Sequence, residues 1–438
     1  MRRRYYEETG STASGEAIRS AVDLLEARAQ FDAPERTVNI RIAEHDGRIY
    51  LDLADNDWRA VQIGPDGWHV VTSPPVRFRR AAGMLPLPIP QRGGSIEALA
   101  AFLNLPAPDE FVLVVAWLLA ALQRGGPYPL LVIAGEQGSA KTMLTKILRA
   151  LIDPNAAPTR APPREERDLM IAANNGHILA FDNLSGLPSW LSDALCRLAS
   201  GGSFAIRQLY TDCDEVLFQA ARPAILNGIE DVVCRSDLAD RAMFLALEPI
   251  TDDRRRTERQ LWREFETARP RILGALLDAA AHGLQRLSRV RLERSPRMAD
   301  FALWATACET AFWPPGTFLR AYNANRRAAI EGVIEADPVA AFVREIMAVR
   351  STWAGRASDL LRVRIAAGED VPDRTAGWPR NPRALAGRLR RCQTFLRTVG
   401  IDIAFTREGR AGSRMIRMTS LTSRGGKSAG NGLGENAC

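Results

Sequence analysis

The stretch YPLLVIAGEQGSAKTMLTKIL, from Tyr128 to Leu148, decides how the rest of the chain is interpreted. Leu130 to Ala134 is an apolar run with the length of one buried strand, and from Met143 onward apolar side chains recur at helical spacing. A strand, a glycine-containing loop and a helix that begins with Lys-Thr form the context in which a loop binds phosphate groups. The stretch therefore predicts a polyphosphate site.

Eight residues form the predicted loop: Gly135, Glu136, Gln137, Gly138, Ser139, Ala140, Lys141 and Thr142. Backbone N–H groups of such a loop, together with the positive N-terminus of the following helix, face a polyphosphate such as that of ATP. Lys141 is expected to reach the β- and γ-phosphates, and the Thr142 hydroxyl is expected to bind Mg²⁺. The alternative is a glycine-rich turn without a ligand.

The loop departs from the usual pattern G-x-x-x-x-G-K-[ST] at one position. Ala140 stands where the second glycine is expected, while Gly138 lies inside the loop. Alanine is tolerable there if the residue has a negative φ, as at an ordinary helix start. The substitution therefore depends on the backbone angle that the fold imposes at Ala140.

Composition limits the class of protein. The chain has 438 residues and a formal net charge of +7, which indicates about two to four domains and a polyanionic partner. Its six cysteines and four histidines lack the spacing of zinc sites, so we expect reduced thiols in the cytoplasm. The apolar run 111–122 is too short to cross a bilayer, and no apolar signal segment follows the first residues. We therefore expect a cytoplasmic protein that does not contact a membrane.

Two later apolar strands each end in one polar side chain. Ile178 to Phe181 is followed by Asp182, and the run AILN ends at Asn227. An acidic residue at a strand end downstream of a phosphate-binding loop is placed to orient Mg²⁺. The alternative is an ordinary aspartate that caps a turn.

A hairpin and an arginine-containing segment surround the second of these strands. The runs 204–210 and 215–219 flank the turn residues Thr-Asp-Cys-Asp and predict a β-hairpin that carries Arg207. Arg235 and Arg241 precede an apolar strand from Ala242 to Leu247. Local ion pairs with Asp237 and Asp240 are the alternative interpretation of these two arginines.

The element pattern divides the α/β chain into five parts. Residues 1–18 are expected to be loose, and four short strands with turn residues between them follow. The parts are a β-rich N-terminal module and linker (1–94), a phosphate-binding core (95–250), a helical lid (251–335), a winged helix (336–419) and a disordered tail (420–438).

The C-terminal part is strongly basic. An amphipathic helix over 382–399 and two strands, 401–406 and 413–419, predict a helix followed by a β-wing, with helices over 340–348 and 354–364 before it. Residues 380–417 contain ten arginines against two acidic residues. Those outside the apolar helix face are Arg383, Arg388, Arg390, Arg391 and Arg397, and those on the wing are Arg407, Arg410, Arg414 and Arg417. This distribution predicts binding to DNA phosphates; the alternative is an arginine-rich solvated helix.

In this order the motifs resemble the superfamily 3 type of AAA+ helicase, as in the helicase half of phage and plasmid primase-helicases. The resemblance covers about residues 95–330. It depends on GEQGSAKT, ILAFDN, the hairpin SFAIRQLYTDCDEVLF, AILN and RSDLADR. It implies a P-loop NTPase core of the AAA+ kind, with ATP and Mg²⁺ as cofactors.

The resemblance also implies roles for individual residues. Asn227 would position the attacking water, and Arg241, with Arg235 as its competitor, would be an arginine finger that reaches a neighbouring subunit's nucleotide. The 205–218 hairpin would line a ring channel, where Arg207 contacts the phosphates of single-stranded DNA and Tyr210 stacks on a base.

Asn183 is a second departure from the pattern. Many AAA+ ATPases have an acidic residue here that polarises the lytic water, whereas an amide cannot accept a proton. Hydrolysis could therefore be slow, could use Asp193 or Glu136, or could be lost.

We therefore expect an ATP-dependent ring helicase or translocase that acts on DNA in replication of a phage or mobile element. A separate primase or polymerase would supply primers. The alternatives are a DNA-dependent ATPase without unwinding, such as a loader or transposition regulator, and a nucleotide-binding DNA adaptor that does not hydrolyse.

Overall fold

The computed structural model describes residues 2–207, 215–228, 236–366, 378–408 and 413–421. Two helices begin the chain, α1 (Arg2–Thr9) and α2 (Gly15–Phe31). The expectation of a loose segment over residues 1–18 is therefore wrong for most of that range. Local interactions explain the helices: Arg4 and Glu8 form an i,i+4 ion pair, and the Ser14 hydroxyl caps α2 by accepting from the Ala17 N–H.

The strands that follow form an antiparallel meander, which contains the four short strands expected from the sequence. The elements are β1 (Val38–Asn39), β2 (Ile42–His45), β3 (Arg48–Asp52), β4 (Ala60–Gly64), β5 (Gly67–Val71) and β6 (Arg77–Phe78). Strands β2 to β5 pair in sequence order, and β1 pairs with β6 in parallel. Tight turns rich in Gly, Asp and Asn connect the meander, as turn chemistry predicts.

The central part is a parallel sheet covered by helices. After a 3₁₀ helix (Ile96–Phe102), its elements are α3 (Pro108–Ala121), β7 (Leu130–Gly135), α4 (Lys141–Ile152), α5 (Glu166–Asn175), β8 (Leu179–Leu184), α6 (Ser189–Ser200), β9 (Ser203–Arg207), β10 (Glu215–Gln219), β11 (Ala224–Gly228), α7 (Ser236–Ala239) and β12 (Ala242–Leu247). The strand order is β12-β7-β11-β8, and β9 and β10 form a separate antiparallel hairpin.

Both faces of the parallel sheet are buried, which is why its strands read as unbroken apolar runs. Along β7, Leu131 and Ile133 enter one hydrophobic cluster, while Leu130 and Val132 enter the cluster on the opposite face. This alternation follows from the two-residue period of a strand. All four strands point the same way, so their carboxyl ends meet at one edge.

Three long helices follow the sheet: α8 (Glu258–Arg286), α9 (Ala299–Glu309) and α10 (Thr317–Ala336). They share one hydrophobic cluster with α3, α4 and the N-terminal meander. The Trp68 indole N–H of β5 donates to Asp278 of α8 at 2.8 Å. The N-terminal strands are thus packed onto the part of the chain expected to be the lid. The predicted boundary between an N-terminal module and the core, after residue 94, stays a prediction. Among the described residues no helix is both long and apolar enough to span a bilayer.

A buried ionic network fixes the N-terminal strands to the end of α4. Arg41 and Asp153 pair at 3.1 Å with side chains 0% and 1% exposed, and Asp153 also accepts from the backbone N–H groups of His177 and Ile178. Burial by itself would raise the pKa of Asp153, but Arg41 and Arg149 lower it below its usual value. Burial lowers the pKa of His177 to about 4, so the ring is neutral there. Removal of either Arg41 or Asp153 would leave the other charge buried without a partner and would therefore lower the stability of the fold.

The C-terminal part consists of α11 (Pro338–Ala348), β13 (Thr352–Gly355), α12 (Ala357–Ala366), α13 (Pro382–Thr398), β14 (Ile401–Glu408) and β15 (Ser413–Ser420). Its sheet order is β13-β15-β14, antiparallel throughout. The expectation of a helix from residue 354 is wrong at its start, because β13 occupies 352–355 and pairs with β15. A four-residue strand carries too little local signal to separate it from the helix that follows.

Candidate nucleotide site and basic groove

The predicted phosphate-binding loop lies at the carboxyl edge of the parallel sheet, between β7 and α4. Gly135 has φ +149°, and a Cβ there would lie 2.4 Å from the Leu247 carbonyl oxygen of the adjacent strand. Gly138 has φ +89° at the tip of the loop. Glycine is therefore required at position 135 because the backbone of the adjacent strand leaves no room for a Cβ, and at position 138 because of its positive φ.

The condition under which alanine would be tolerated at position 140, a negative φ, is not met. Ala140 has φ 64° and ψ 28°, the left-handed conformation, and its carbonyl accepts the first helical hydrogen bond of α4 from Leu144 at 2.9 Å. The chain must reverse sharply between the loop and α4, and that reversal fixes the angle whichever residue stands there. Alanine is thus held in a strained conformation at the position where the usual pattern has glycine.

Ala140→Gly is expected to stabilise the protein by about 0.5–1 kcal/mol. Relief of left-handed strain gives about 1–2 kcal/mol, and the larger backbone entropy of glycine in the unfolded chain offsets about half of it. The free energy of unfolding in urea measures the change. Ala328→Gly, at an exposed position inside α10, is the matched control and should lose about 1 kcal/mol. A loss in both variants would contradict the strain at Ala140.

The side chain of Lys141 bends back over the loop. Its ammonium donates to the carbonyl oxygens of Gly135 and Glu136 at 2.6 and 2.7 Å. These carbonyls hold the ammonium at the loop that would surround a phosphate group. The position fits a lysine that exchanges carbonyl partners for phosphate oxygens.

Four polar side chains form a continuous chain of hydrogen bonds beside Lys141. The Thr142 hydroxyl donates to Asp182 Oδ2 at 2.9 Å, and Asn227 Nδ2 donates to Asp182 Oδ1 at 3.3 Å. Asn227 Oδ1 accepts from the Thr145 hydroxyl at 2.9 Å, and Asn227 is fully buried. The structure thus brings together Thr142, Asp182 and Asn227, which the sequence places on three separate elements.

Asn183 follows Asp182 with φ 60°, and its side chain is exposed. Its backbone N–H donates to Asp182 Oδ1 at 3.0 Å. Asparagine tolerates the left-handed conformation better than most residues. The Asn183 side chain is free to face a ligand at this edge, but it offers an amide where a general base needs a carboxylate.

Arg241 lies at the start of β12, away from the loop of its own chain. Its guanidinium donates to the backbone carbonyl and to the carboxylate of Asp237, at 2.7 and 3.1 Å, and it is 14% exposed. The local ion pair considered as the alternative is therefore present. Arg235, its competitor, lies outside the described residues.

The predicted hairpin is present as β9 and β10, with Arg207 opposite Glu215 in the backbone register. The Arg207 side chain and all of Tyr210 lie outside the described residues. Their contacts with DNA stay predictions.

A pocket of about 410 Å³ opens beside the loop. It lies between the segment after the first 3₁₀ helix, the start of α4 and the beginning of α8. Most of its lining is apolar and includes Phe102, Met143, Ile250 and Leu261. Its size and lining suit the nucleoside half of a nucleotide.

The predicted arginine-rich face divides into two sets. Five arginines line one groove of about 810 Å³ between α13, strands β14 and β15, and the start of α12: Arg356, Arg383, Arg390, Arg407 and Arg414. The Arg390 guanidinium lies 4.5 Å from the Phe405 ring centroid at the same groove. This set concentrates positive charge on one concave surface.

The second set is engaged in ion pairs. Arg388 pairs with Asp337 at 2.7 Å, Arg397 with Asp402 at 2.9 Å and Arg417 with Glu408 at 3.6 Å, so these charges are partly neutralised. Arg391 is exposed on α13 outside the groove lining. Arg410 lies outside the described residues.

Sequence reasoning missed several residues of these sites. Asn104 donates to the backbone carbonyls of Ser139 and Glu248, at 3.1 and 2.7 Å, and so connects the loop to the end of β12. Thr145 could have been found from its helical spacing of three residues after Thr142. Asn104 and Arg356 follow no local pattern that marks them.

The chain matches two family models. Residues 96–332 match the actinomycete integrative conjugative element replication protein, and residues 339–430 match the C-terminal domain of the same RepA family. No curated protein matches the chain. Among solved structures, it is similar to SCCmec type IV Cch, titled an active helicase, with 11% identity, a TM-score of 0.46 and coverage of 96% of this chain and 86% of that one.

It is also similar to the C-terminal region of NrS-1, with 12% identity, a TM-score of 0.37 and coverage of 83% of this chain and 94% of that one. These two structures are only distantly similar to the chain, whereas the first family model alone matches more than half of its residues. The protein therefore belongs to the replication proteins of actinomycete integrative conjugative elements.

Proposed function

We propose that this replication protein is an ATP-dependent DNA helicase or translocase that works as a homo-oligomeric ring in the cytoplasm. The observation that carries the proposal is the hydrogen-bonded set Thr142, Asp182 and Asn227 beside Lys141 at the carboxyl edge of a parallel sheet. Ligands of open α/β sheets bind outside the carboxyl ends of the strands. The loop is then a P-loop, and the pocket beside it receives the nucleoside.

The donor set fits Mg²⁺ bound together with ATP. Thr142 and Asp182 supply a hydroxyl and a carboxylate oxygen, the ligand types that Mg²⁺ prefers, and such ions keep their remaining positions for phosphates and water. When bound, the ion neutralises charge that develops on the transferred phosphoryl group. Lys141 binds the phosphates, and Asn227 and Asn183 orient water near them.

Arg241 is proposed to act on the nucleotide of a neighbouring subunit. It lies on β12 with its guanidinium paired to Asp237, so reaching another subunit requires that this exposed partner be released. Because the Arg241 side chain is mostly buried and makes two hydrogen bonds to Asp237, contacts with the neighbouring subunit's nucleotide must offset the cost of this release. Such an arginine makes hydrolysis depend on assembly.

DNA contacts are proposed at two places. The β9–β10 hairpin, with Arg207 and Tyr210, would hold single-stranded DNA in the ring channel. The order α11-β13-α12-α13-β14-β15 with sheet order β13-β15-β14 supports the proposal of a winged helix, and its arginine groove would bind DNA phosphates. A separate primase or polymerase would supply primers.

The test is steady-state ATP hydrolysis by the full chain, with and without single-stranded DNA and across protein concentration, together with strand displacement on a forked duplex. The proposal predicts turnover that rises with DNA and steeply with protein concentration, and displacement that requires ATP. Turnover without displacement would favour a loader or transposition regulator. Nucleotide binding without turnover would mean that Asn183 is decisive and the protein is an adaptor.

A further inference from the structure

The connector between β12 and α8, residues 248–257, lies across the phosphate-binding loop. Asn104 joins the carbonyl of Glu248 to that of Ser139, and the Ile250 N–H donates to the Gly138 carbonyl at 3.3 Å. At Gly138, Arg255 Nη2 lies 3.5 Å from the position that a Cβ would take. The connector thus brings a guanidinium to the tip of the loop.

The positively charged side chains near the loop differ in how strongly nearby carboxylates neutralise their charge. Lys146 pairs with Glu258 at 3.0 Å, and Arg256 pairs with Glu264 at 2.8 Å while it also donates to the Ala101 carbonyl. These two contacts anchor the connector and the first turns of α8. Their charges are already balanced.

Arg255 is held differently. Its Nε donates to the Ile250 carbonyl at 3.2 Å and forms an ion pair with Asp252 at 3.5 Å, which is weak because the Asp252 side chain is 96% exposed. These contacts hold the base of the guanidinium, while Nη2 extends toward Gly138. The geometry is that of a donor oriented by its own connector and directed at the loop.

The pocket beside the loop is lined in part by the connector. Its lining includes Ile250 and Arg254 of the connector, and Ala140 and Met143 at the start of α4. The pocket reaches Ala140 at the end of the loop, so a nucleoside bound there would have its phosphates beside the loop, whose tip at Gly138 Arg255 approaches.

We propose that Arg255 binds the phosphate tail of the nucleotide from the same subunit, as a second cation beside Lys141. The inference rests on the proposed nucleotide site and adds a residue that the phosphate-loop pattern does not contain. Because the connector leads directly into α8, which carries the N-terminal strands through Trp68 and Asp278, the same contact ties bound nucleotide to the position of that helix. An arginine is suited to this task, since its guanidinium stays charged and keeps Nη2 available for a phosphate oxygen while Nε is held by the connector.

The test is the dissociation constant of ADP and of inorganic pyrophosphate for the full chain with Mg²⁺, measured by calorimetry. Arg255→Ala should weaken both by about tenfold, the loss of one charge-assisted hydrogen bond. Arg255→Lys should recover part of the loss, because it keeps the charge without the fork. Arg259→Ala is the matched control, an exposed arginine on the first turn of α8 outside the pocket lining, and should bind as the wild type does.

Three results would overturn the inference. An Arg255→Ala protein that binds both ligands within twofold of the wild type, while Lys141→Ala loses them, removes Arg255 from the site and leaves the proposed function intact. Weaker ADP binding with unchanged pyrophosphate binding assigns Arg255 to the nucleoside instead. A wild type that binds neither ligand refutes the nucleotide site itself, and Arg255 with it.

Discussion

Lys141→Ala is expected to lower the affinity for ATP by about a hundredfold and to abolish measurable hydrolysis. The ammonium of Lys141 already lies over the loop, on the Gly135 and Glu136 carbonyls. Two charge-assisted hydrogen bonds to phosphate of about 1.5 kcal/mol each amount to about a hundredfold in binding. Hydrolysis suffers further, because the charge that develops in the transition state loses its stabilising cation.

The measurement is ATP binding by calorimetry and turnover by phosphate release, with far-ultraviolet circular dichroism to show that the variant is folded. Lys146→Ala is the control: it removes the same side chain from the same helix, where the ammonium pairs with Glu258 at 3.0 Å and 27% exposure. A pair of this kind contributes under about 1 kcal/mol, so binding should change little. Wild-type turnover in Lys141→Ala would refute the site.

The triple variant Arg383→Gln/Arg390→Gln/Arg414→Gln removes three groove arginines and is expected to bind DNA more weakly. The slope of log K for DNA against log salt concentration should become shallower by about 2–3 units. Each phosphate contact adds about 0.7 to the slope for single strands and about 0.9 for duplex DNA. These three side chains line one groove of about 810 Å³. Fluorescence anisotropy of labelled DNA across salt concentrations measures the slope.

The control removes the same number of charges from the paired set, in Arg388→Gln/Arg397→Gln/Arg417→Gln. Each of these arginines lies within 3.6 Å of a carboxylate in its own domain. Their loss should change the slope by less than about one unit, since a charge that is already paired releases fewer counterions from DNA. Equal losses in both triple variants would show that net charge, and not the groove, governs binding.

Local pattern was enough to find most of the elements and the chemistry at their ends. The strand–loop–helix at 130–152, the apolar strands that end near Asp182 and Asn227, the hairpin at 203–219 and the amphipathic helix α13 were all predicted from periodicity and turn residues. Each of these signals depends on neighbours within a few positions in the chain, which is the range over which hydrophobic period and turn chemistry act. The roles assigned to Arg207, Tyr210, Arg235 and Arg410 remain predictions.

The family match supports the expectation of a replication protein of a mobile element, and it covers the region from which the helicase resemblance was drawn. The gap between its two matched ranges is 333–338; the division after residue 335 stays a prediction. The finer statement, ATP-driven unwinding by a ring, remains the proposal set out above.

By itself, then, the sequence determined most of the helices and strands, the loop with Lys141 and Thr142, and the two polar strand ends. Tertiary structure decided the rest. Strand order β12-β7-β11-β8 makes β8 and β11 neighbours, and only this adjacency brings Asp182 and Asn227 to 3.3 Å. The left-handed angle of Ala140 is imposed by the path of the chain into α4.

The approach of Arg255 to Gly138 and the division of the C-terminal arginines into groove and ion pairs likewise depend on packing. The reason is physical. A residue's dihedral preference and hydrophobic period are local quantities, whereas the partner of a side chain is set by contacts across the fold, such as the 144 residues that separate Asn104 from Glu248.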